Sequence, residues 1–399
     1  MFLAVARNLS ISHGAKSINR SPTSVTKTLR ELERSLGVRL FDRSPRGVTL
    51  TAFGEALFSR SQEAARTFER AGEVLRSMSA ATSSGVARFI QMDVSDRWLD
   101  AFLATANHQN TAAAAVQLGI SSAGVSSSLR KLETSLCLSL FDRQPATIVP
   151  TNTGKALVGF VKLARRQLRH ARDDISNLQG IEHGRVVIGT LPFARTMIVP
   201  QAINSLLRDC PNIEIATSEG AYDDLVADLR CGDIDFMIGA LRGTGDAADL
   251  LEETLLEDSL SVIARADHPL AEKSLLDNDD LANCEWILPR HGTPTRALFE
   301  QVVTAHGISI PQHVTETSSL VVLRGLLLGS DRITLLSRHQ IHYEEKYGML
   351  VALPYLLTDV SRPIGITQRA GSSLSPAAGK IIDTIRQLVE DNFSNPLSI

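Results

Sequence analysis

Residues 2–57 lie over residues 102–157 without a gap, and this offset of 100 constrains the fold more than any other feature of the 399-residue chain. Phe2/Phe102, Leu3/Leu103, Ala4/Ala104, Ala15/Ala115, Ser21/Ser121 and Val25/Val125 are identical pairs. So are Leu29/Leu129, Arg30/Arg130, Leu32/Leu132, Glu33/Glu133 and Leu36/Leu136. Leu40-Phe41-Asp42-Arg43 recurs as Leu140-Phe141-Asp142-Arg143, followed by Thr51/Thr151, Gly54/Gly154 and Leu57/Leu157. Two copies are too few for a solenoid. The pattern therefore predicts one small domain built twice in tandem.

Each copy has the same local grammar. In the first, an apolar helix opens at Phe2–Ala6 and a short second helix covers about 13–19. Because this copy lacks counterparts of Trp98 and Leu99, its first helix is expected to be short. Ser21 is a good N-cap, Pro22 suits the first helical position and Gly37 ends the third helix. Val25, Leu29, Leu32 and Leu36 recur at helical spacing on one face, which must be buried. The opposite face carries Thr23, Ser24, Thr26, Lys27, Arg30 and Arg34. Short polar side chains allow close approach to base edges, and basic ones reach phosphates. Ser44-Pro45-Arg46-Gly47 then turns into a small β-wing with Arg43 and Arg46 near its tip.

From Thr51 and Thr151, long helix-compatible stretches follow, each about 40 Å at helical rise. Leu157, Val161, Ala164, Leu168, Ala171, Ile175 and Leu178 form a heptad seam, matched by Leu57, Ser61, Ala64, Phe68, Ala71, Leu75 and Met78. The remaining faces (Arg165, Arg166, Arg169, Arg172, Asp173, Asp174) look too polar to be enclosed. The seam is therefore expected to pair with a second copy of the chain.

Charge separates the two halves. Residues 1–180 carry 24 Lys+Arg against 14 Asp+Glu, and residues 181–399 carry 17 against 30. A basic front suggests a polyanionic partner. The copies differ within it: residues 1–57 hold nine basic and four acidic side chains, residues 102–157 four and two. Lys16, Arg20, Lys27 and Arg46 become Val116, Ile120, Ser127 and Ala146. The first copy should hold DNA more strongly; in the second, Ser122, Ser126, Ser127, Arg130 and Arg143 remain for contacts. No stretch approaches the roughly 18 apolar residues of a membrane span, and the helical opening at MFLAVARNLS does not read as a cleavable signal. Four scattered cysteines, without metal spacing or disulfide framework, fit a reducing cytosol.

After Gly180 strands and helices alternate. Strands are expected at Arg185–Gly189, Ile213–Thr217, Phe236–Ala240, Leu260–Ala264, Cys284–Leu288, Ile333–Leu336 and Pro363–Gln368. Helices are expected from Pro192 to about Arg208, then at Tyr222–Arg230, Pro294–His306, Ser319–Leu328 and about Pro376–Asn392. The βαβαβ succession implies a parallel sheet with ligand sites at strand C-termini. Leaving this sheet near Ile263 and returning near Pro363, the chain would form two lobes with a cleft between them. No nucleophile–base pair, metal spacing or phosphate loop is found, and Asp233-x-Asp235 reads as a helix-to-strand turn. The scattered histidines from His183 onward read as surface or capping residues. The cleft offers hydroxyls at expected helix N-termini: Thr190 with Phe193 beside it, Thr293, Thr295, Ser318 and Ser319. Such termini suit a carboxylate or a sugar hydroxyl.

These features together resemble the LysR-type transcriptional regulators. LGVRLFDRSPRGVTLTAFGEAL after the Ser21–Leu36 helix is similar to that family's winged helix-turn-helix. GRVVIG (184–189), CPNIEI (210–215), LRCGDIDFMIG (229–239) and DHPLA (267–271) are similar to its effector domain. PRHGTPTR (289–296) and SRPIGIT (361–367) resemble the subgroup of galactose-binding-protein and protocatechuate-pathway regulators. The resemblance implies a coiled linker helix and a two-lobed α/β periplasmic-binding-protein-like effector domain. With the repeat, by which this chain departs from the family, the expected fold is multidomain: two all-α winged helix-turn-helix units with long linker helices before that effector domain. The boundaries follow as 1–79, a connector 80–97, 98–180, and 181–399 with lobe I at 184–262 and 363–392 and lobe II at 263–362. It implies double-stranded promoter DNA, a small-molecule effector (a sugar or an aromatic or organic acid), RNA polymerase and further copies of the chain as partners. The copies would join as a dimer or tetramer through the linker helices. Neither cofactor nor membrane is implied. The alternative is a cytoplasmic small-molecule-binding protein whose basic half mainly serves oligomerisation.

Overall fold

Both copies fold into the same order of elements. The computed structural model describes residues 1–44, 47–78, 94–144, 147–243, 245, 247–291, 294–309, 314–357 and 361–393. The first copy runs α1 (Phe2–Asn8), α2 (Ile11–Ser17), α3 (Pro22–Leu36), a hairpin β1 (Phe41–Ser44) and β2 (Gly47–Leu50), and α4 (Ala52–Met78). The second runs α5 (Asp96–His108), α6 (Thr111–Leu118), α7 (Ser122–Leu136), β3 (Phe141–Arg143), β4 (Ile148–Pro150) and α8 (Asn152–Leu178). As expected, the opening helix is shorter in the first copy, with seven residues against thirteen. Most of the connector at 80–97 lies outside the described residues.

The identical pairs are structural. Ser21 and Ser121 cap α3 and α7 by accepting from the amides of Ser24 and Gly124. Glu33 Oε1 accepts from the Leu40 amide at 2.9 Å, as Glu133 Oε1 does from Leu140 at 2.9 Å, tying each third helix to its hairpin. Thr51 and Thr151 cap the long helices through the amides of Gly54 and Gly154, both at 3.0 Å. A Cβ on either glycine would sit 2.1 Å from the carbonyl oxygen of Leu40 or Leu140, so no larger residue fits. Val25 and Leu29 are buried, as are Val125, Leu129, Leu132 and Leu136; Leu32 and Leu36 are half-buried.

The heptad seam, expected to join two chains, is closed within one. Helices α4 and α8 pack side by side and antiparallel: Leu57 shares a core with Ala171 and Ile175, and Phe68 and Leu75 share one with Leu157 and Val161. The exchange is reciprocal. The C-terminal half of α4 completes the core of the second head around Phe102 and Val125, while the C-terminal end of α8 completes the first around Val5 and Val25. Only Leu168, Leu178 and Met78 of the seam are exposed. The polar faces of α8 are also partly enclosed, for Arg166, Gln167 and His170 are buried.

The acidic half has two lobes on one mixed sheet, not an all-parallel one. In lobe I, β5 (Gly184–Thr190) lies between β6 (Ile213–Glu219) and β7 (Phe236–Ala240), both parallel to it. Strand β13 (Ser361–Arg369) pairs antiparallel with β7 and with β8 (Leu250–Arg265). Helices α9 (Ile198–Asp209) and α15 (Pro376–Phe393) form one core with β5 and β7, and α10 (Tyr222–Cys231) covers the other face. The strand expected at Leu260–Ala264 is only the end of β8, which runs unbroken from lobe I into lobe II. In lobe II, β8 pairs with β11 (Thr334–Ser337) and β12 (Leu350–Ala352). Beside them lie the parallel pair β9 (Trp286–Leu288) and β10 (Val314–Glu316), α11 (Asn278–Ala282), α12 (Pro294–Ala305), α13 (Leu320–Leu328) and α14 (His342–Lys346). Trp286 and Phe299 stack edge-on at 5.3 Å in its core.

Truncating a buried leucine costs about 2–5 kcal/mol. Leu75→Ala and Leu157→Ala are each expected to lose this much in urea unfolding, undiminished as protein concentration rises. A loss that concentrated protein recovers would place the seam between chains.

Candidate nucleic-acid interface and ligand cleft

Helix α3 buries one side in the first head and leaves the other to solvent. Thr23, Ser24, Lys27, Arg30 and Arg34 are exposed and Thr26 is half-buried, so a hydroxyl-rich N-terminal turn is backed by cations one turn on. The backbone of Arg43 lies in β1, directly before the tip; Arg46 lies outside the described residues. In the second head Ser122, Ser127 and Arg130 are exposed and Ser126 is half-buried. A groove of about 270 Å³ gathers Ser126 and Arg143 with Asn110, Thr111 and the strand end at Ile148. Arg143 is drawn to Glu133 at 3.3 Å. Where the first head shows Lys16 and Arg20, the second exposes Val116 (84%) and Ile120 (46%), so cationic surface becomes apolar.

The expected cleft hydroxyls do not share one role. Thr190 is buried as the last residue of β5, and its hydroxyl donates to the Ser218 carbonyl at 3.3 Å. It does not cap a helix: a short 3₁₀ turn, Pro192–Arg195, intervenes before α9 begins at Ile198. Phe193 is buried in this turn and meets the His339 ring of lobe II edge-on at 5.7 Å. Ser319 does cap α13, accepting from the Val322 amide at 3.4 Å. Ser318 and Thr295 are exposed, and Thr293 lies outside the described residues.

Sequence reasoning missed the groups that join the lobes. Arg324, the charge interrupting the apolar run of α13, donates to the Gln340 carbonyl at 2.6 Å and to Thr196 Oγ1 of lobe I at 3.3 Å, and pairs with Glu344. Buried Asp258 of β8 accepts from Ser337 and from Arg362 at 3.1 Å. Burial pushes the Asp258 carboxyl up, against the pull of Arg362 and Ser337. Among the described residues no three His, Cys, Asp or Glu side chains converge as metal ligands would, and no helix is long and apolar enough to cross a membrane.

A second missed cluster joins the linker helices to lobe I. Asp235, in the turn before β7, is buried against Arg166 of α8, and its Oδ2 accepts from the Val187 amide at 2.8 Å. Arg166 also donates to the carbonyls of Gly232 and Ile234. Lys162 pairs with Asp233 at 2.6 Å. From α4, Arg60 pairs with Asp174 at 2.6 Å and donates to the carbonyls of Ser373 and Leu374, both at 2.7 Å. The Asp-x-Asp turn is therefore a docking point. Buried His170, absent from the sequence reading, lies beside it, its Nε2 4.0 Å from Asp235.

Burial, reinforced by Arg166, Arg60, Arg169 and Arg369, pulls the His170 pKa down to about 3, against 6.5 for a free imidazole. Below pH 6.5 the unfolded chain gains a proton that the folded chain refuses, so stability falls as pH drops, by roughly 1.4 kcal/mol per unit until pH approaches 3. His170→Gln is expected to flatten the stability–pH slope by about that amount between about pH 6 and pH 4. Parallel wild-type and variant profiles from denaturant titrations would show that His170 is not held neutral.

Comparison with known proteins follows this division of labour. The profile described as "LysR substrate binding domain" matches residues 179–390. That of "Bacterial regulatory helix-turn-helix protein, lysR family" matches twice, at residues 1–55 and 97–155. The HTH-type transcriptional regulator GalR of Pseudomonas putida is 33% identical over 390 residues, covering 98% of this chain and 96% of that protein. GbpR of Azospirillum brasilense is 28% identical over 312 residues, covering 78% and 91%. Among solved structures, a full-length OxyR variant from Pseudomonas aeruginosa aligns with a TM-score of 0.55 at 22% identity, over 74% of this chain and 95% of that one. CbnR, a LysR family transcriptional regulator also solved with its target DNA, aligns with a TM-score of 0.53 at 19% identity, over 74% and 99%.

Proposed function

The chain belongs to the LysR family, which makes it a ligand-responsive, DNA-binding transcriptional regulator and not an enzyme, and we propose that a single chain carries two reading heads. On this reading residues 1–79 and 98–180 are tandem winged helix-turn-helix units with their linker helices, joined by 80–97. Residues 181–399 are the effector domain, with lobe I at 184–262 and 363–392 and lobe II at 263–362. The observation that carries it is the antiparallel α4–α8 pair, which fixes two like heads relative to one another within one polypeptide.

Thr23, Ser24, Thr26 and Lys27 enter the groove, and Arg30, Arg43 and Arg46 hold phosphates. The second head adds Ser122, Ser126, Ser127, Arg130 and Arg143 with less charge, so it contributes less affinity. The effector, a sugar or an aromatic or organic acid, enters the interlobe cleft near Phe193, Thr295, Ser318 and Ser319, with Thr190 and, outside the described residues, Thr293 as further candidates for contact. A ligand preferring one lobe arrangement shifts the population by its differential affinity alone. Since the linker seam is filled internally, chains assemble into dimers or tetramers through other surfaces. The setting is cytoplasmic, with RNA polymerase as a further partner.

Mobility shifts on the upstream region test the heads. Lys27→Ala is expected to cost about 1–3 kcal/mol on the cognate site. Arg30→Ala should weaken binding to all sequences and reduce the salt slope by about one. Arg130→Ala should do the same to a smaller extent. Wild-type affinity in Lys27→Ala removes that residue from the interface. A thermal-shift screen of sugars and aromatic acids tests the cleft, which loses its support if none raises the melting temperature.

A further inference from the structure

The first head, the second linker helix and lobe I border a solvent-open cavity of about 690 Å³ where they meet. Its walls are Ser35 and Leu36 at the end of α3, the face of α8 from Arg166 to Ser176, and β5 with the turn before β7. The volume is that of a metabolite site. No lining residue comes from lobe II, so this is not the interlobe cleft.

Charge in the walls is unbalanced. Asp235 is held by Arg166, Asp233 by Lys162 at 2.6 Å, and Asp173 lies 3.7 Å from the His183 ring. Against Asp173, the one lining carboxylate without a Lys or Arg partner, stand Arg169, Arg172 and Arg185, and among the described residues none of the three makes a salt bridge or side-chain hydrogen bond. In the wall behind, Arg166 Nε and His170 Nδ1 are buried without hydrogen-bond partners. Guanidiniums gathered on one space repel each other until an anion joins them, and their planar forks match carboxylate and phosphate oxygens.

We propose that this cavity is a second ligand site, which takes a small polyanion of carboxylate or phosphate chemistry at the joint between the first head and the effector domain. Arg169, Arg172 and Arg185 hold its acidic groups. The binding itself does not depend on what the interlobe cleft takes. Its effect on DNA rests on the regulatory reading: because the walls belong to a head, a linker and a lobe, the anion favours whichever placement of the three it binds more tightly.

Calorimetric titration of the full-length protein with citrate, and separately with inorganic phosphate, each at ionic strength matched by sodium chloride, tests the proposal. Saturable binding of at least one anion is expected, and which of them binds tells carboxylate from phosphate chemistry. Arg169→Gln and Arg185→Gln, both exposed side chains, should each weaken it about tenfold or more. Arg208→Gln, an exposed arginine on α9, should leave it unchanged. The proposal falls if neither anion binds beyond chloride, or if the two cavity variants bind as wild type does. It falls equally if those variants lose DNA affinity while keeping anion binding, since the arginines would then be phosphate contacts. Failure of the cleft reading shows separately, in the sugar and aromatic-acid screen.

Discussion

The antiparallel pairing of α4 with α8 organises everything N-terminal of the sensing domain. Each head is an incomplete core, and the missing wall comes from the far end of the other copy's linker helix. Ala171 and Ile175 close the first head, and Phe68, Ala71 and Leu75 close the second. Neither head can reach full burial alone, so the two are fixed relative to one another by the same apolar area that stabilises them. The spacing between the exposed faces of α3 and α7 is thus a property of one folded chain.

The same helix that closes the first head docks on lobe I, and it does so with charge. Removing Arg166 or Asp235 would leave its partner buried and uncompensated, a cost of about 3–5 kcal/mol, although a well-packed apolar pair could be as stable. What the ionic junction adds is direction. Gly232 and Ile234 accept from one guanidinium whose carboxylate also receives the Val187 amide, so α8 meets the sheet at one azimuth. Arg60 fixes α4 to the carbonyls of Ser373 and Leu374 at the entry to the last helix. A change of lobe geometry therefore has two stiff points through which to act on the linker pair.

How much of this was legible in the sequence depends on whether the signal is local. Caps and periods were: Ser21, Pro22 and Gly37 bound α3 as their chemistry requires, and Phe236–Ala240 is a strand to the residue. Periodicity shows that a face is apolar but not what covers it, so the Phe68 and Leu157 seam reads the same whether its partner is the same chain or another. Arg166 and His170 look solvated in a basic helix, and they are buried where α8 docks on lobe I beside Asp235. Thr190 fails as a cap because a 3₁₀ turn separates it from the helix. The first half of β8 escaped because half-exposed Glu and Leu alternate irregularly in it.

The asymmetry of the heads follows from the same division between buried and exposed positions. The second copy keeps what the fold needs: the Glu133 tether, the Thr151 cap, the glycine against Leu140 and the apolar face of α7. It changes what faces outward, with Val116, Ile120 and Ser127 in place of Lys16, Arg20 and Lys27. Losing cations from an exposed surface costs the fold almost nothing, whereas losing the domain would strip Phe68 and Leu75 of their cover. The second head is therefore constrained as the packing partner of the first linker helix whatever its outward face carries. Its sequence is free to drift on one side of α6 and α7 and held on the other.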